Sequence, residues 1–448
     1  MKQSIIRRKN RIRNIVFDKE SRKLCKTIMK PKAFTRNRKI MLPHLLLSVL
    51  NKQGRNVSFE IRDFELNKKG EKMVKYTDEA YLKQRRQLNP EIFKKMNYEY
   101  LRDFYHEKKE IKKYKGYVVW AIDGSTEEIP NTENNKKTFG IGRAKKESKK
   151  SVARIMVVGA YDVYNHFFGD IAIDKANTYE PKLAIKNIEK CIKINNKQKN
   201  LFVFDRNYPS IELYEILNET FSKFVMRLSV NDYMQERSKM TSDDEIVYIK
   251  YNHYRKYHFK KKKPEIYEKI KDKDGIKLRI INIQLETGET ESLITNILNK
   301  KFTLKDFQEI YNSRWKIEES FNSVKNKLKI EKITGKLPIF IYQDIYAQTL
   351  VYNQVQDMLN EGNEQLKERN KRKKLKREYH INENKAIGLY KEQFIKILLI
   401  EDKNVAIQKY DELIYEMQKY VSVIRENRKS PRIWNISNKY HSNKGATF

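Results

Sequence analysis

Two short apolar runs, each followed by an aspartate, stand out in the hydrophobic pattern of the chain. Residues 117–122 read Tyr-Val-Val-Trp-Ala-Ile and precede Asp123, and residues 201–204 read Leu-Phe-Val-Phe and precede Asp205. Both runs are too short for a buried helix and are rich in strand-favouring residues. Continuous apolar runs of this length are typical of strands covered on both faces. The pattern therefore predicts two central strands, each with an acid at its carboxyl end.

The segments around these runs predict a sheet with helices packed against it. Apolar stretches at 154–161 and 166–173 flank a turn and predict an antiparallel hairpin, and a helical pattern follows at 181–194. A short helix at 210–217 and a strand at 224–228 come after the second run. This order of elements predicts an α/β fold built on a mixed sheet.

The rest of the chain divides by composition. Alternating stretches at 246–251 and 278–285 predict a β-rich insertion, whereas both ends of the chain read as helical and basic. The predicted division is a helical basic region at 1–110, a catalytic domain formed by 111–229 and 301–335, a β-rich insertion at 230–300, and a helical basic carboxyl-terminal region at 336–448.

The charge of the chain points to a polyanionic partner. Lys and Arg number 95 against 58 acids, which gives a formal net charge of +37. The first 40 residues hold 15 basic residues against 2 acids, and residues 425–448 hold 6 against 1. Basic ends of this kind can clamp a phosphate backbone, or they can be solvated tails that bind nothing specific.

A third acid, Glu318, lies in a segment whose polar residues have helical spacing. Tyr311, Arg314, Glu318 and Lys325 would lie within an arc of about 60° on one helix, beside an apolar stripe. The row can aim at a ligand that carries metal and phosphate. It can equally be the solvated charged face of an amphipathic helix.

Three carboxylates together suggest metal-dependent phosphodiester chemistry. If the two strands are neighbours, Asp123 and Asp205 meet at the ligand-binding edge of the sheet, and a packed helix can add Glu318. Oxygen ligands without Cys or His suit two Mg²⁺ or Mn²⁺ ions. Arg314 and Lys325 could then hold phosphates, and Tyr311 could hydrogen-bond, stack on a base or sit at the core edge. Either aspartate alone could instead be a turn former or a helix cap.

Other function classes find little support in the sequence. The chain has no Cys-x-x-Cys pair, no Gly-x-Ser-x-Gly elbow and no phosphate-binding Gly-rich loop. No apolar run approaches the length that spans a membrane. We therefore expect a soluble protein of a reducing compartment with no membrane partner.

At these residues the chain resembles bacterial insertion-sequence transposases of the DDE superfamily that carry a Tyr-Arg-Glu-Lys signature. The resemblance covers about residues 30–445. It rests on Ala121-Ile-Asp-Gly-Ser125, on Phe204-Asp-Arg-Asn-Tyr208, where Asn207 replaces the usual glycine, and on Tyr311 to Lys325, where every signature position matches.

This resemblance implies an RNase H-like catalytic domain with a β-rich insertion and helical flanking regions. It implies that Asp123, Asp205 and Glu318 bind metal, and that Tyr311, Arg314 and Lys325 hold the DNA end, with Arg206 as a further phosphate contact. The implied reaction is metal-dependent cleavage of the element's ends, followed by transfer of the 3′ hydroxyl to target DNA. The implied partners are double-stranded DNA, as terminal inverted repeats and target, and further copies of the chain in a synaptic complex. The implied location is the bacterial cytoplasm, at the nucleoid.

Two other functions remain open from the sequence. One is a catalytically silent, domesticated protein that binds specific DNA sequences. The other is an RNA-associated or structural nucleic-acid protein, although no RRM or KH signature occurs.

Overall fold

An eight-stranded mixed sheet forms the centre of the protein in the computed structural model. Numbered along the chain, its strands have the order β3-β2-β1-β4-β5-β8-β7-β6. The β1–β2 and β2–β3 pairs are antiparallel, whereas β1–β4 and β4–β5 are parallel. The first five strands therefore have the RNase H-like arrangement, and the predicted α/β fold class is confirmed.

The helices and strands of the amino-terminal half are as follows: α1 Lys2–Phe17, α2 Ser21–Leu24, α3 Leu42–Leu50, α4 Val57–Asn67, α5 Asp78–Arg85, α6 Glu91–His106, β1 Tyr117–Glu128, α7 Glu133–Phe139, β2 Arg154–Asp162, β3 Phe167–Lys175, α8 Glu180–Ile194, β4 Lys199–Phe204, α9 Ile211–Glu219 and β5 Lys223–Arg227. Those of the second half are α10 Met234–Arg237, β6 Asp244–Lys250, α11 His253–Lys262, α12 Pro264–Ile270, β7 Gly275–Gln284, β8 Thr290–Thr295, α13 Leu304–Ser313, α14 Trp315–Asn326, α15 Pro338–Arg372, β9 Tyr379–Ile381, α16 Glu383–Leu399, α17 Lys403–Met417 and β10 Val421–Val423.

The structure describes most but not all of the chain. The described residues are 2–27, 30–35, 39–67, 75–107, 110–141, 152–195, 198–286, 288–329, 331–373 and 377–424. The basic carboxyl-terminal segment at 425–448, which the sequence offers as a phosphate clamp, lies outside them.

The two apolar runs form the buried centre of the sheet, as predicted. In β1, the residues from Val118 to Ile122 are fully buried, and so are those of β4 from Leu201 to Phe204. The Trp120 indole Nε1 donates a hydrogen bond to Asn200 Oδ1 at 2.9 Å, which satisfies its polar atom inside the core. The predicted hairpin also forms, with β2 antiparallel to β3.

The insertion continues the sheet instead of forming a separate one. Strand β8 pairs with β5, β7 with β8, and β6 with β7, all antiparallel. Between β6 and β7 lie two helices, α11 and α12, that the sequence did not predict. Their residues are mostly charged and polar, and α11 has no buried residue, so no apolar period marks it as a helix.

Helices from both halves of the chain cover the sheet. The apolar stretch at 42–50 forms the buried helix α3, and α15 spans 35 residues. Residues 360–372 lack an apolar period but are rich in strong helix formers, which lets α15 continue through them. In the part of the chain that the structure describes, no helix has both the length and the apolar composition to cross a membrane.

Candidate active site

Asp123 and Asp205 lie side by side at one edge of the sheet. Strands β1 and β4 are parallel neighbours, and Ile122 pairs with Phe204, so an aspartate follows each of these paired residues. The sequence prediction of two converging carboxylates is therefore realised in the fold. Asp205 follows the end of β4 as predicted, whereas β1 continues past Asp123 to Glu128 in its pairing with β2, so the prediction that Asp123 ends its strand is wrong. Asp205 also accepts a hydrogen bond from the backbone N–H of Asn207 at 2.8 Å, so it forms the local turn that the alternative interpretation expected.

Glu318 faces the same edge from α14, and Arg314 lies between it and Asp123. The Arg314 Nη2 atom is 3.0 Å from Glu318 Oε1, and its Nη1 atom is 3.8 Å from Asp123 Oδ2. Arg314 is only 5% exposed, and its guanidinium stacks 4.8 Å from the centre of the Trp315 ring. The arginine is thus a buried counter-ion to two of the candidate acids.

The pKa of Asp123 is strongly perturbed by its surroundings. Burial raises its pKa to about 7, Arg314 opposes this shift, and the negative charges of Asp205 and Glu318 add to it. Asp123 is thus desolvated and repelled by two other carboxylates, and the positive charge of Arg314 only partly compensates. This is the electrostatic environment that a bound cation stabilises.

The signature segment is two helices, not the single helix that the sequence predicts. Helix α13 ends at Ser313 and α14 begins at Trp315. The Ser313 hydroxyl donates to the carbonyl of Ile310 at 2.6 Å, a bond that competes with the helical hydrogen bonds. The backbone N–H of Arg314 bonds to the carbonyl of Tyr311, three residues back, which tightens this turn. Arg314 itself keeps helical backbone angles, φ −56° and ψ −35°, so the interruption is confined to this one residue.

The four predicted DNA-contact residues fall in different environments. Tyr311 is 3% exposed, and burial raises its pKa, with the adjacent Arg314 opposing the shift. The Lys325 ammonium lies 2.9 Å from Glu127 Oε2, so it ties α14 to the end of β1. Arg206 is exposed in the loop directly after Asp205. Of the four, the exposed Arg206 can reach a ligand as it stands, whereas the half-buried Lys325 is paired with two carboxylates, since it also lies 3.1 Å from Glu331.

Glu180 is a fourth carboxylate at this edge, and sequence reasoning missed it. It is the first residue of α8, and its side chain packs against Gly124, beside Asp123. A Cβ atom at position 124 would lie 2.8 Å from Glu180 Cδ, so the close approach requires glycine. Burial raises the pKa of Glu180, the Tyr208 hydroxyl opposes the shift, and the charge of Asp205 adds to it. The sequence signal, an acid in the first turn of a helix, is too common to single out.

The donor chemistry of this site fits a hard divalent cation. Four carboxylates and one guanidinium lie at this edge, and no thiol or imidazole is among them, which favours Mg²⁺ or Mn²⁺ over zinc. The positions of the side chains are not those of a finished metal site. Within the described residues, no three acidic, His or Cys side chains converge closely enough to hold a metal ion as they stand. In this arrangement the Arg314 guanidinium lies between Asp123 and Glu318.

Comparison with known proteins covers solved structures, curated sequences and protein families. Among solved structures, the chain is similar to piggyBac transposase in a synaptic complex with hairpin DNA, at 10% identity and a TM-score of 0.39, over 82% of this chain and 74% of that chain. Likeness of this degree supports no inference. No curated protein matches the chain significantly in sequence.

A family model gives the decisive match. The model described as "Transposase DDE domain" matches residues 114–354, a stretch that runs from just before β1 into α15 and contains Asp123, Asp205 and Glu318. Because this match spans more than half of the 448 residues, the chain belongs to the transposase family defined by the DDE domain.

Proposed function

We propose that the protein is an active cut-and-paste transposase of a bacterial insertion sequence. Its reaction is hydrolysis at the ends of the element, which frees a 3′ hydroxyl, followed by attack of that hydroxyl on a phosphodiester of target DNA. The observation that carries this proposal is the pairing of β1 with β4, which sets Asp123 beside Asp205 inside the family match.

Asp123, Asp205 and Glu318 are the proposed metal ligands. Two divalent ions, Mg²⁺ or Mn²⁺, supply the charge that activates the attacking oxygen and stabilises the leaving oxygen of an in-line displacement. Glu180 lies close enough to Asp205 to raise the negative charge of the site. The protein's own contribution is to hold these carboxylates in a desolvated cluster at the end of a rigid sheet.

Arg314 has two proposed states. Without DNA, its guanidinium neutralises Asp123 and Glu318. When the carboxylates take up a cation, the freed guanidinium can bind a phosphate near the cut as a bidentate fork. Tyr311, which is buried against Arg314, steadies that side chain and so acts on the DNA end indirectly.

The proposed partners are double-stranded DNA, as terminal inverted repeats and target, and further copies of the chain in a synaptic complex. Arg206 and Lys325 are the proposed phosphate contacts beside the cut. The net charge of +37 supports a polyanionic partner. The proposed place of action is the bacterial cytoplasm, at the nucleoid.

The test replaces each acid by its amide and separates cleavage from binding. Asp123→Asn, Asp205→Asn and Glu318→Gln should each abolish Mg²⁺-dependent cleavage of duplexes that carry the inverted repeats flanking the coding sequence, while gel-shift affinity for those duplexes persists. Lys403→Ala, on the exposed surface of α17, is the matched control and should cleave normally. Full cleavage by any of the three amide variants would remove that acid from the proposed site.

A catalytically silent, domesticated DNA-binding protein is the second candidate function. The observation that favours it is the position of Arg314, which separates Asp123 from Glu318. In that case the unmodified protein binds the terminal repeats specifically but nicks no DNA in Mg²⁺ or Mn²⁺. The same assay on the unmodified protein therefore distinguishes the two functions.

A further inference from the structure

Helix α11 is a basic, aromatic helix with almost no contact to the core. It contains five Lys or Arg residues and no acid, and none of its residues is buried. Tyr254 is 83% exposed and Tyr257 is 59% exposed. A helix without an apolar face gains little from packing, so its sequence is better explained by a ligand than by the fold.

Contacts at its inner face fix the helix in place. Asn252 caps its amino end by accepting from the backbone N–H of Arg255 at 3.0 Å. The Arg255 guanidinium lies over the Tyr233 ring, and Lys256 Nζ donates to the carbonyl of Lys271 at 2.8 Å. Phe259 packs against the edge of the core. These residues are occupied within the protein, and the opposite face is left to solvent.

The outer face combines aromatic rings with positive charge. Tyr254, Tyr257 and Lys261 are spaced by three and four residues, which places them within about 60° of one another on the helix. His258 lies on the same side, and the His253 ring stacks on Tyr257 with their centres 6.3 Å apart. Phenol hydroxyls and ammonium groups donate hydrogen bonds to phosphate oxygens, and no carboxylate of α11 competes with them.

The carboxyl end of α11 borders the candidate active site. Lys263, the next residue, pairs with Glu212 of α9 and lies 5.8 Å from the centre of the Tyr179 ring. Tyr179 is the amino-terminal cap of α8, and the next residue, Glu180, packs against Gly124 beside Asp123. The carboxyl end of α11 is thus connected to the acidic edge through Tyr179 and Glu180.

From this position and chemistry we infer that the outer face of α11 binds the phosphate backbone of duplex DNA beside the cleaved end. The inference rests on the proposed function, and it adds a contact surface that the signature residues do not include. An acidic protein is the other partner that such a face could fit. DNA is favoured because the carboxyl end of α11 lies near the candidate active site and because the helix continues the basic character of the chain.

The salt dependence of binding tests the charged part of this surface. Each phosphate contact contributes about 0.9 to the slope of log affinity against log salt. Lys260, which lies about 60° from Tyr257 around the helix, and Lys261 are both exposed, so Lys260→Ala/Lys261→Ala should lower that slope by about 1.8. The affinity lost between 50 and 200 mM salt then becomes about 12-fold smaller. Tyr254→Ser/Tyr257→Ser should weaken binding several-fold without changing the slope, because no charge is removed.

A matched pair on α17 provides the control. Lys403→Ala/Lys409→Ala removes the same charge from an exposed helix that does not border the acidic edge, and its slope should equal that of the unmodified protein. All three variants should keep the melting temperature, since the altered side chains are exposed.

The outcomes separate this inference from the proposed function. An unchanged slope in the α11 lysine variant, with steep salt dependence in the unmodified protein, overturns the inference and leaves the transposase proposal intact. A reduced slope in a protein that binds but never cleaves supports the α11 surface and overturns the catalytic proposal. Absence of DNA binding in the unmodified protein overturns both.

Discussion

Arg8 tests whether the basic amino terminus serves the fold or the DNA. Its side chain is fully buried, and its guanidinium makes a fork to Asp357 on α15, with Nε to Oδ2 at 2.8 Å and Nη2 to Oδ1 at 2.9 Å. Its Nη1 atom donates to Glu110 at 3.1 Å, and Tyr100 donates to the same Asp357 at 2.6 Å. Arg8 therefore connects α1 to α15 through a buried ion pair.

Replacing Arg8 by Ala should destabilise the protein strongly. Removing one partner of a buried ion pair costs about 3–5 kcal/mol, because the remaining carboxylate keeps its desolvation without its cation. With about 2.1 cal/mol/K of unfolding entropy per residue, a cooperative chain of 448 residues loses about 3–5 °C of melting temperature. Differential scanning calorimetry measures this shift directly.

Two further variants make the result specific. Arg11→Ala removes a side chain that is 42% exposed from Asp103, which keeps Arg7, so it should cost about 0–1 kcal/mol. Arg8→Met/Asp357→Leu replaces the whole pair by apolar groups and should recover most of the loss.

DNA binding supplies the second measurement for Arg8. A buried side chain makes no phosphate contact, so the salt dependence of DNA affinity should not change in Arg8→Ala. An unaltered melting temperature would refute the structural role of Arg8. A slope of log affinity against log salt that is lowered by about 0.9 would instead assign Arg8 a phosphate contact.

Three further predictions concern the candidate site and the core around it. Gly124→Ala should reduce DNA cleavage, because the new Cβ atom displaces the Glu180 carboxylate, and it should largely preserve the melting temperature. If the clash is local, the double variant Gly124→Ala/Glu180→Ala should have the same melting temperature as Gly124→Ala alone. Burial, aided by the positive charges of Lys316 and Lys112, lowers the pKa of His166 to about 4. Between pH of about 6.5 and about 4, His166 is therefore protonated in the unfolded chain but neutral in the folded chain. Stability should thus fall from pH 6.5 towards 4 in thermal melts, and His166→Asn, which suits the φ of 65°, should weaken that dependence. Arg206→Ala should lower the salt slope of DNA binding by about 0.9 at unchanged melting temperature, because Arg206 is exposed.

The central sheet was predictable because its strands are buried on both faces. Such strands read as continuous apolar runs, and the run that ends at Ile122 and the run that ends at Phe204 proved to be parallel neighbours. Parallel neighbours expose their carboxyl ends at one edge, so the convergence of Asp123 and Asp205 followed from the pattern. The acids could be placed without any knowledge of side-chain contacts.

The remaining features depend on long-range contacts that the pattern does not encode. Helix α11 lacks an apolar stripe, so only its surroundings fix its position. By contrast, the interruption at Arg314 has a local cause, the bond from the Ser313 hydroxyl to the carbonyl of Ile310, which the helical period of the sequence does not reveal. Counting charges also could not reveal that Arg8 is enclosed by carboxylates more than 100 residues away. Charge content predicts a partner for the whole chain but not the role of any one arginine.

The opposition between a cationic chain and an acidic centre bears on how a phosphodiester could reach this site. A phosphate that approaches Asp123 meets four carboxylates and one buried guanidinium, so the local charge repels it although the chain as a whole attracts it. Repulsion in a desolvated site is poorly screened by salt, and surface lysines cannot cancel it. The same imbalance already favours a proton on Asp123, whose pKa is raised to about 7. Metal cations that replace this proton and release Arg314 would remove the repulsion at the point where the phosphate must sit. If Asp123, Asp205 and Glu318 hold cations as proposed, those cations would lower this repulsion of the entering phosphate in addition to serving the cleavage step.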